Sequence, residues 1–292
     1  MKFRFTYGAY LILIAMGILN SACTEKIEID LDSTYARLVV EGEVTDDSIK
    51  HFVKLSISSD YFSNRPAPRV QDAVVELTFG ENTLQLIEND EQAGLYETPY
   101  AFRGVVGTTY ELDISQVDVD QDGVEERYHA SSTMLGGPEL LYIELEYYPS
   151  SWGSGYSVSM HASHPPEIRD WFGFKLYKNS DLLTDSLYKY YVMSDELFDS
   201  GYFPGLPVGW LSDDYPRQAV HPGDTVSLEM NCIEEAYYYF VTEAQLEIFG
   251  YYPLFSGPPS NVTSNIDNGA VGIFAAYSIQ RSSVIATEEM QE

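Results

Sequence analysis

Between Ala36 and Met134, apolar and polar residues alternate in short runs that turn residues interrupt. Leu38-Val39-Val40-Glu41-Gly42-Glu43-Val44 is followed by the turn signal Asp46-Asp47, then by Phe52 to Ile57. Further runs cover Ala73 to Phe79, Thr83 to Ile87, Leu95 to Thr98, Gly107 to Ile114 and Arg127 to Thr133. A period of two over four to eight residues predicts half-buried strands. Their succession without a helical stretch predicts a β-sandwich of immunoglobulin-like or transthyretin-like size over residues 36–135. Gly136-Gly137-Pro138 then breaks the pattern and marks a domain boundary.

Residues 138–287 are again strand-rich but more aromatic. The expected strands are Leu140 to Tyr148, Tyr156 to Ala162, Trp171 to Tyr177, Leu187 to Met193 and Thr225 to Met230. Long loops rich in Gly, Pro and rings are expected over Phe198 to Tyr215 and Tyr251 to Pro259. One helix is predicted over Ile233 to Phe249, with Asn231 and Glu234 spaced as a capping box and Gly250 placed to end it. Its apolar stripe, Ile233, Tyr237, Phe240, Ala244 and Ile248, should pack on the second sheet. The fold class is therefore mainly β: two sandwich-like domains, the second with one packed helix, and a short tail over 288–292.

Charge and composition narrow the functional classes. The chain has 45 acidic against 16 basic residues, a net charge of -29. Such a surface repels a phosphate backbone, so no nucleic-acid partner is expected. With 45% hydrophobic residues there is enough apolar material for real cores, which excludes a disordered chain.

The N-terminus supplies an address. Lys2 and Arg4 precede an apolar run from Tyr10 to Leu19, too short to span a bilayer, followed by Asn20-Ser21-Ala22-Cys23. Small residues directly before a cysteine predict a lipoprotein signal peptide over 1–22, cleaved before Cys23, and acylation of the Cys23 thiol with palmitate-type chains. Residues 23–35 then form a tether, and lipid holds the chain to a membrane without spanning it. Asn20 departs from the pattern, because an aliphatic residue usually stands there. With Cys23 acylated, Cys232 is the one remaining thiol and no internal disulfide can form. Cys232 is expected to be a buried small side chain.

Two groups of residues are candidates for binding. Asp118, Asp120 and Asp122 alternate before Gly123 as in a calcium loop, with Glu126 as a further ligand. The same stretch also suits an acidic hairpin turn on Asp122-Gly123, and His129 stands where a bidentate Glu belongs. His161 and His164 point to opposite faces if both lie on one strand, so they are a poor metal pair. The stronger candidates are rings at strand ends, Tyr148 with Trp152, Tyr202 with Trp210, and Tyr252. Tyr and Trp give rigid amphipathic contact area to a partner or a sugar; alternatively they fold back onto their own sandwich. Hydrolase motifs and phosphate-cradling loops are missing, so no enzyme, catalytic residue or cofactor is expected beyond the covalent lipid and the calcium option.

The stretch Pro258-Pro259-Ser260-Asn261-Val262-Thr263-Ser264-Asn265-Ile266, followed by Gly269, Gly272, Phe274 and Ala276, resembles the closing segment of a known family. Leu38 to Gly42, Ala73-Val74-Val75 with Gly94-Leu95-Tyr96, Gly107 to Leu112, and Pro222-Gly223-Asp224-Thr225-Val226 agree with it in order. The family is the Bacteroidetes outer-membrane lipoprotein group called domain of unknown function 4249. The resemblance implies a non-enzymatic cell-envelope lipoprotein, an accessory or binding partner of a TonB-dependent outer-membrane transporter or its cargo. A glycan- or calcium-dependent adhesion module is the alternative. On the residues themselves, the closing segment reads as a structural clasp before a last strand at Ala270 to Ile279.

Overall fold

The alternating runs fold as strands in a computed structural model that describes residues 36–59, 65–151, 153–163, 170–196, 201–249 and 262–291. The first half carries β1 (Leu38–Thr45), β2 (Phe52–Ile57), β3 (Val74–Phe79), β4 (Asn82–Gln85), β5 (Ile87–Glu88), β6 (Leu95–Glu97), β7 (Thr109–Val117) and β8 (Glu126–Thr133). The second carries β9 (Glu139–Tyr148), β10 (Gly155–Ser163), β11 (Trp171–Lys178), β12 (Asp181–Leu182), β13 (Tyr191–Ser194), β14 (Tyr202–Ser212) and β15 (Thr225–Ile233). Helix α1 (Glu235–Phe249) and β16 (Val271–Ile285) follow.

One large sheet has the order β12-β11-β15-β16-β1-β2-β6-β5, with β13 also beside β11. Two smaller sheets, β4-β3-β7-β8 and β14-β10-β9, cover different parts of it. Strict alternation explains the first sandwich: Leu38, Val40, Val53 and Leu55 of the large sheet meet Val75, Leu77, Leu112 and Ile114. In the second, Phe172, Phe174, Leu228 and Met230 meet Tyr156, Val158, Met160 and Phe203.

The boundary expected at residues 136–138 divides these cores but not the sheet. Residues Val271 to Tyr277 of β16 run parallel to β1, and Ser278 to Ile285 run antiparallel to β15. Phe274 and Ala276 thus enter the first core, although the sequence places them in the second domain. Residues 36–292 form one unit. The last strand is also longer than expected, ending at Ile285.

Asn265 makes the clasp. Its side chain donates to the Phe274 carbonyl (2.7 Å) and accepts from the Phe274 N–H (3.0 Å), doing for β16 what a neighbouring strand does elsewhere. It also donates to the Ser131 carbonyl at the end of β8 (3.2 Å). Asn261 lies outside the described residues.

Helix α1 covers the other face of the large sheet, where Val241 buries against Ile233, Ala275, Tyr277 and Tyr190. That cover explains why β15 is buried on both faces. Two details differ from the sequence expectation. Asn231 does not cap the helix: it sits within β15, donating to the Tyr190 phenol (3.0 Å), while Glu234 accepts from Ser132. Ile248 is 53% exposed, because contact with the sheet is made by Tyr237, Tyr238, Phe240 and Val241 and not by the last turn. Cys232 is buried as expected, and burial pushes its thiol up to about 12.

On this same face Arg281 joins the two halves. Its guanidinium donates to both Asp47 carboxylate oxygens (2.9 and 2.6 Å) and, through Nε, to Glu229 (2.9 Å). Glu229 is 3% exposed and also holds Lys175 (3.4 Å) and the Tyr177 hydroxyl (3.3 Å). The Arg281 hydrogen bond keeps Asp47 below the usual carboxylate range, and burial pushes Tyr177 up to about 12.

His51 gives the first core a pH response. The buried ring accepts from the Thr45 N–H at Nδ1 (3.3 Å) and donates from Nε2 to the Phe102 carbonyl (3.0 Å). Only the neutral ring can do both, and burial lowers its pKa below the ordinary 6.5. With a depressed folded-state pKa, the unfolded chain takes up the proton first, so stability is full above about 6.5 and falls as pH drops toward the folded value. Thermal melts from pH 7.5 to 5 should show a falling Tm, and His51→Gln should flatten that slope; an unchanged slope would remove His51 as its source.

Candidate functional site

The site is the outer face of the β14-β10-β9 sheet. Along β10, Tyr156, Val158, Met160 and Ala162 point into the core. Gly155, Ser157, Ser159 and His161 alternate with them and so point outward. The register sets which rings stand beside them. Tyr148 is opposite Gly155 on β9, and Trp210 is opposite Ser157 on β14. Gly155 has no side chain to obstruct the indole: a Cβ there would meet Trp210 at 2.9 Å. The indole therefore comes within 6.2 Å of the Tyr148 ring, with 45% of the tryptophan exposed.

A second aromatic group stands at the other end of the face. The regular register from Gly155 and Tyr148 sets Tyr142 opposite His161, and the shift just beyond, at His161/Ala162, leaves Leu141 without a partner on β10. The Tyr142 ring lies 4.2 Å from the imidazole and 12° from parallel. His161 Nδ1 is 2.7 Å from the Tyr202 hydroxyl, and Nε2 is 2.9 Å from Glu144. A neutral ring protonated at Nε2 satisfies both: it donates to Glu144 and accepts from Tyr202. The hydrogen bond with Tyr202 raises the Tyr142 pKa, and that with Glu146 raises the Tyr148 pKa, so both phenols stay neutral at physiological pH. The resulting face carries rings at both ends, with Glu144, Glu146 and serines between them.

Tyr202 and Trp210 were expected in a loop, and the structure places both on β14. Pro204, Gly205, Pro207 and Gly209 obscure the alternation, but an edge strand tolerates proline, and two register shifts accommodate the irregular residues. Tyr147 folds back onto buried Tyr156, with ring centres 5.0 Å apart. Trp152, Tyr252, His164 and the lipidation candidate Cys23 lie outside the described residues.

The acidic group lies between β7 and β8, which pair antiparallel. Asp118, Asp120 and Glu126 offer carboxylate oxygens within 4.8 Å of one another, and Asp122 is not among them. Asp118 accepts from the N–H groups of Asp122 (3.1 Å) and Gly123 (3.0 Å), Glu126 from Val119 (3.2 Å) and Asp122 from Val124 (2.7 Å). These bonds are those of an acidic hairpin turn.

Tyr142, Glu144 and the packed His161 are the part of the face the sequence reading missed. A count of register outward from the tight connection between Tyr148 and Gly155 pairs Glu144 with Ser159 and Tyr142 with His161, because the irregularity at Leu141 comes only after them.

Fold and surface together define a mainly β protein of two fused sandwiches with an aromatic sheet face open to solvent. The family model described as "Domain of unknown function (DUF4249)" matches residues 24–283, nearly the whole chain. The chain belongs to this family. No curated protein matches it. Among the described residues, no helix is long and apolar enough to cross a membrane.

Proposed function

We propose that this chain is a lipid-anchored, non-enzymatic protein of the cell envelope that docks onto a TonB-dependent outer-membrane transporter or its cargo. The observation that supports this reading best is the Tyr148–Trp210 pair, held by paired strands and exposed to solvent. Rings fixed in this way lose little entropy on contact, and interface energy concentrates on Tyr and Trp. The test is affinity purification of the tagged chain from solubilised native membranes. A transporter should co-purify in near-stoichiometric amount, and Tyr148→Ala with Trp210→Ala should reduce it at least tenfold at unchanged Tm. Recovery of no transporter, or full recovery with the double variant, would overturn docking through this face.

The anchor rests on the N-terminal sequence. A palmitate analogue fed to the expressing cells should label the chain, and Cys23→Ser should abolish the label and free the protein from the membrane fraction. A labelled Cys23→Ser protein would remove the anchor assignment.

The convergence of Asp118, Asp120 and Glu126 favours a calcium-dependent adhesion module as the second reading. Ligand that binds only the folded state raises Tm. Calcium added back to chelated protein should then raise Tm by several degrees, whereas an unchanged Tm leaves the hairpin turn as the whole role of these acids.

A further inference from the structure

Next to the docking face, and sharing Trp210 with it, two adjoining cavities of about 640 and 220 Å³ open beside β14 and have Leu183, Lys189 and Gln218 in common. Tyr188 and Tyr215 line the larger one, Tyr191 and Trp210 the smaller, and each of these rings is between 45 and 62% exposed. Among the described residues, the charged ones lining the pair are Lys189 and Arg217, with no aspartate or glutamate, in a chain of 45 acids and 16 bases. Asp185, outside the lining, accepts from Lys189 (2.6 Å) and Arg217 (2.7 Å), and Arg217 also donates to the Leu182 carbonyl (3.0 Å). Both its oxygens are thereby engaged, while each cation keeps N–H groups to donate elsewhere. Asp181 acts on Arg217 through space but lines neither cavity. Gln218 accepts the Ser212 N–H with its amide oxygen and so has its NH2 left to donate.

We infer that this groove binds an oligosaccharide bearing carboxylates. Exposed phenol and indole rings suit the apolar faces of sugar rings. The N–H groups that Lys189, Arg217 and Gln218 keep beyond these bonds suit a ligand rich in oxygen acceptors. The cation pair selects the acid sugars among them, since Arg and Lys hydrogen bonds to carboxylates are the stronger kind. A neutral glycan would leave the cations unused, and an acidic peptide would not need the exposed rings.

The test is calorimetric titration of the full chain at physiological salt with hexagalacturonate and hexamannuronate, against cellohexaose and hexaglutamate. At least one uronate should bind saturably, and Tyr215→Ala and Arg217→Ala should each weaken it at least tenfold at unchanged Tm. Tyr188→Ala gives an independent check on the same cavity. Tyr148→Ala, which tests transporter docking, should leave uronate binding intact, so the two assignments fail separately. No uronate binding at millimolar concentration, binding indifferent to Arg217→Ala, or equal binding of cellohexaose or hexaglutamate would overturn the inference.

Discussion

Gly272→Ala should lower the free energy of unfolding by about 4 kcal/mol, among the largest effects a single methyl group can have. Gly272 has φ +105, a conformation that L side chains rarely adopt. A Cβ there would lie 2.0 Å from the Val40 carbonyl oxygen and 3.0 Å or less from its carbon and nitrogen. These are backbone atoms of β1, paired in register with Gly272, so no rotamer change relieves the contact. The two strands would have to separate where they join the sandwiches. Gly269→Ala is the control, because Gly269 has φ +76 but nothing within 4 Å of its Cβ position, leaving only the local strain of about 1 kcal/mol. Urea unfolding of both variants checks the prediction, and equal stabilities would refute the close-approach argument.

Arg281→Ala is the second large expectation, a loss of about 2 to 3 kcal/mol. The cost comes less from the lost attraction than from the partner left behind. Glu229 is almost fully buried and would keep only Lys175 and Tyr177 against its charge. Arg281 itself is half exposed, so the loss stays below that of a fully buried pair. Adding Glu229→Gln to Arg281→Ala should recover part of the stability, since the uncompensated charge is gone; Asp47→Ala alone should cost much less. If the double variant is no more stable than Arg281→Ala, buried charge is not the source of the loss.

The sequence carries the first sandwich openly, and β7 shows why. Tyr110, Leu112 and Ile114 alternate with polar neighbours because only one face of the small sheet is buried, so the pattern survives in the letters. Strand β15 is buried on both faces, and there composition stands in for alternation. In β14 the prolines and glycines that suit an irregular edge strand are the residues that signal a loop. The capping role expected of Asn231 failed because tertiary contact with Tyr190 claimed its side chain. Of the docking face, Tyr148, Tyr202 and Trp210 were visible as exposed-ring candidates, but their arrangement was not. It depends on a bulge and on pairing between strands separated by loops, for which no local spacing rule exists.

The joining of β1 to β16 also bears on how the molecule reaches its mature form. The two strands are far apart along the chain, and until they pair the first core lacks Phe274 and Ala276 and β15 lacks a neighbour. Pairing elements so far apart along the chain is entropically slow, and incomplete cores of this kind attract one another. A chain cut before Val271 would leave the first core open and strip β1 and β15 of the neighbour they share.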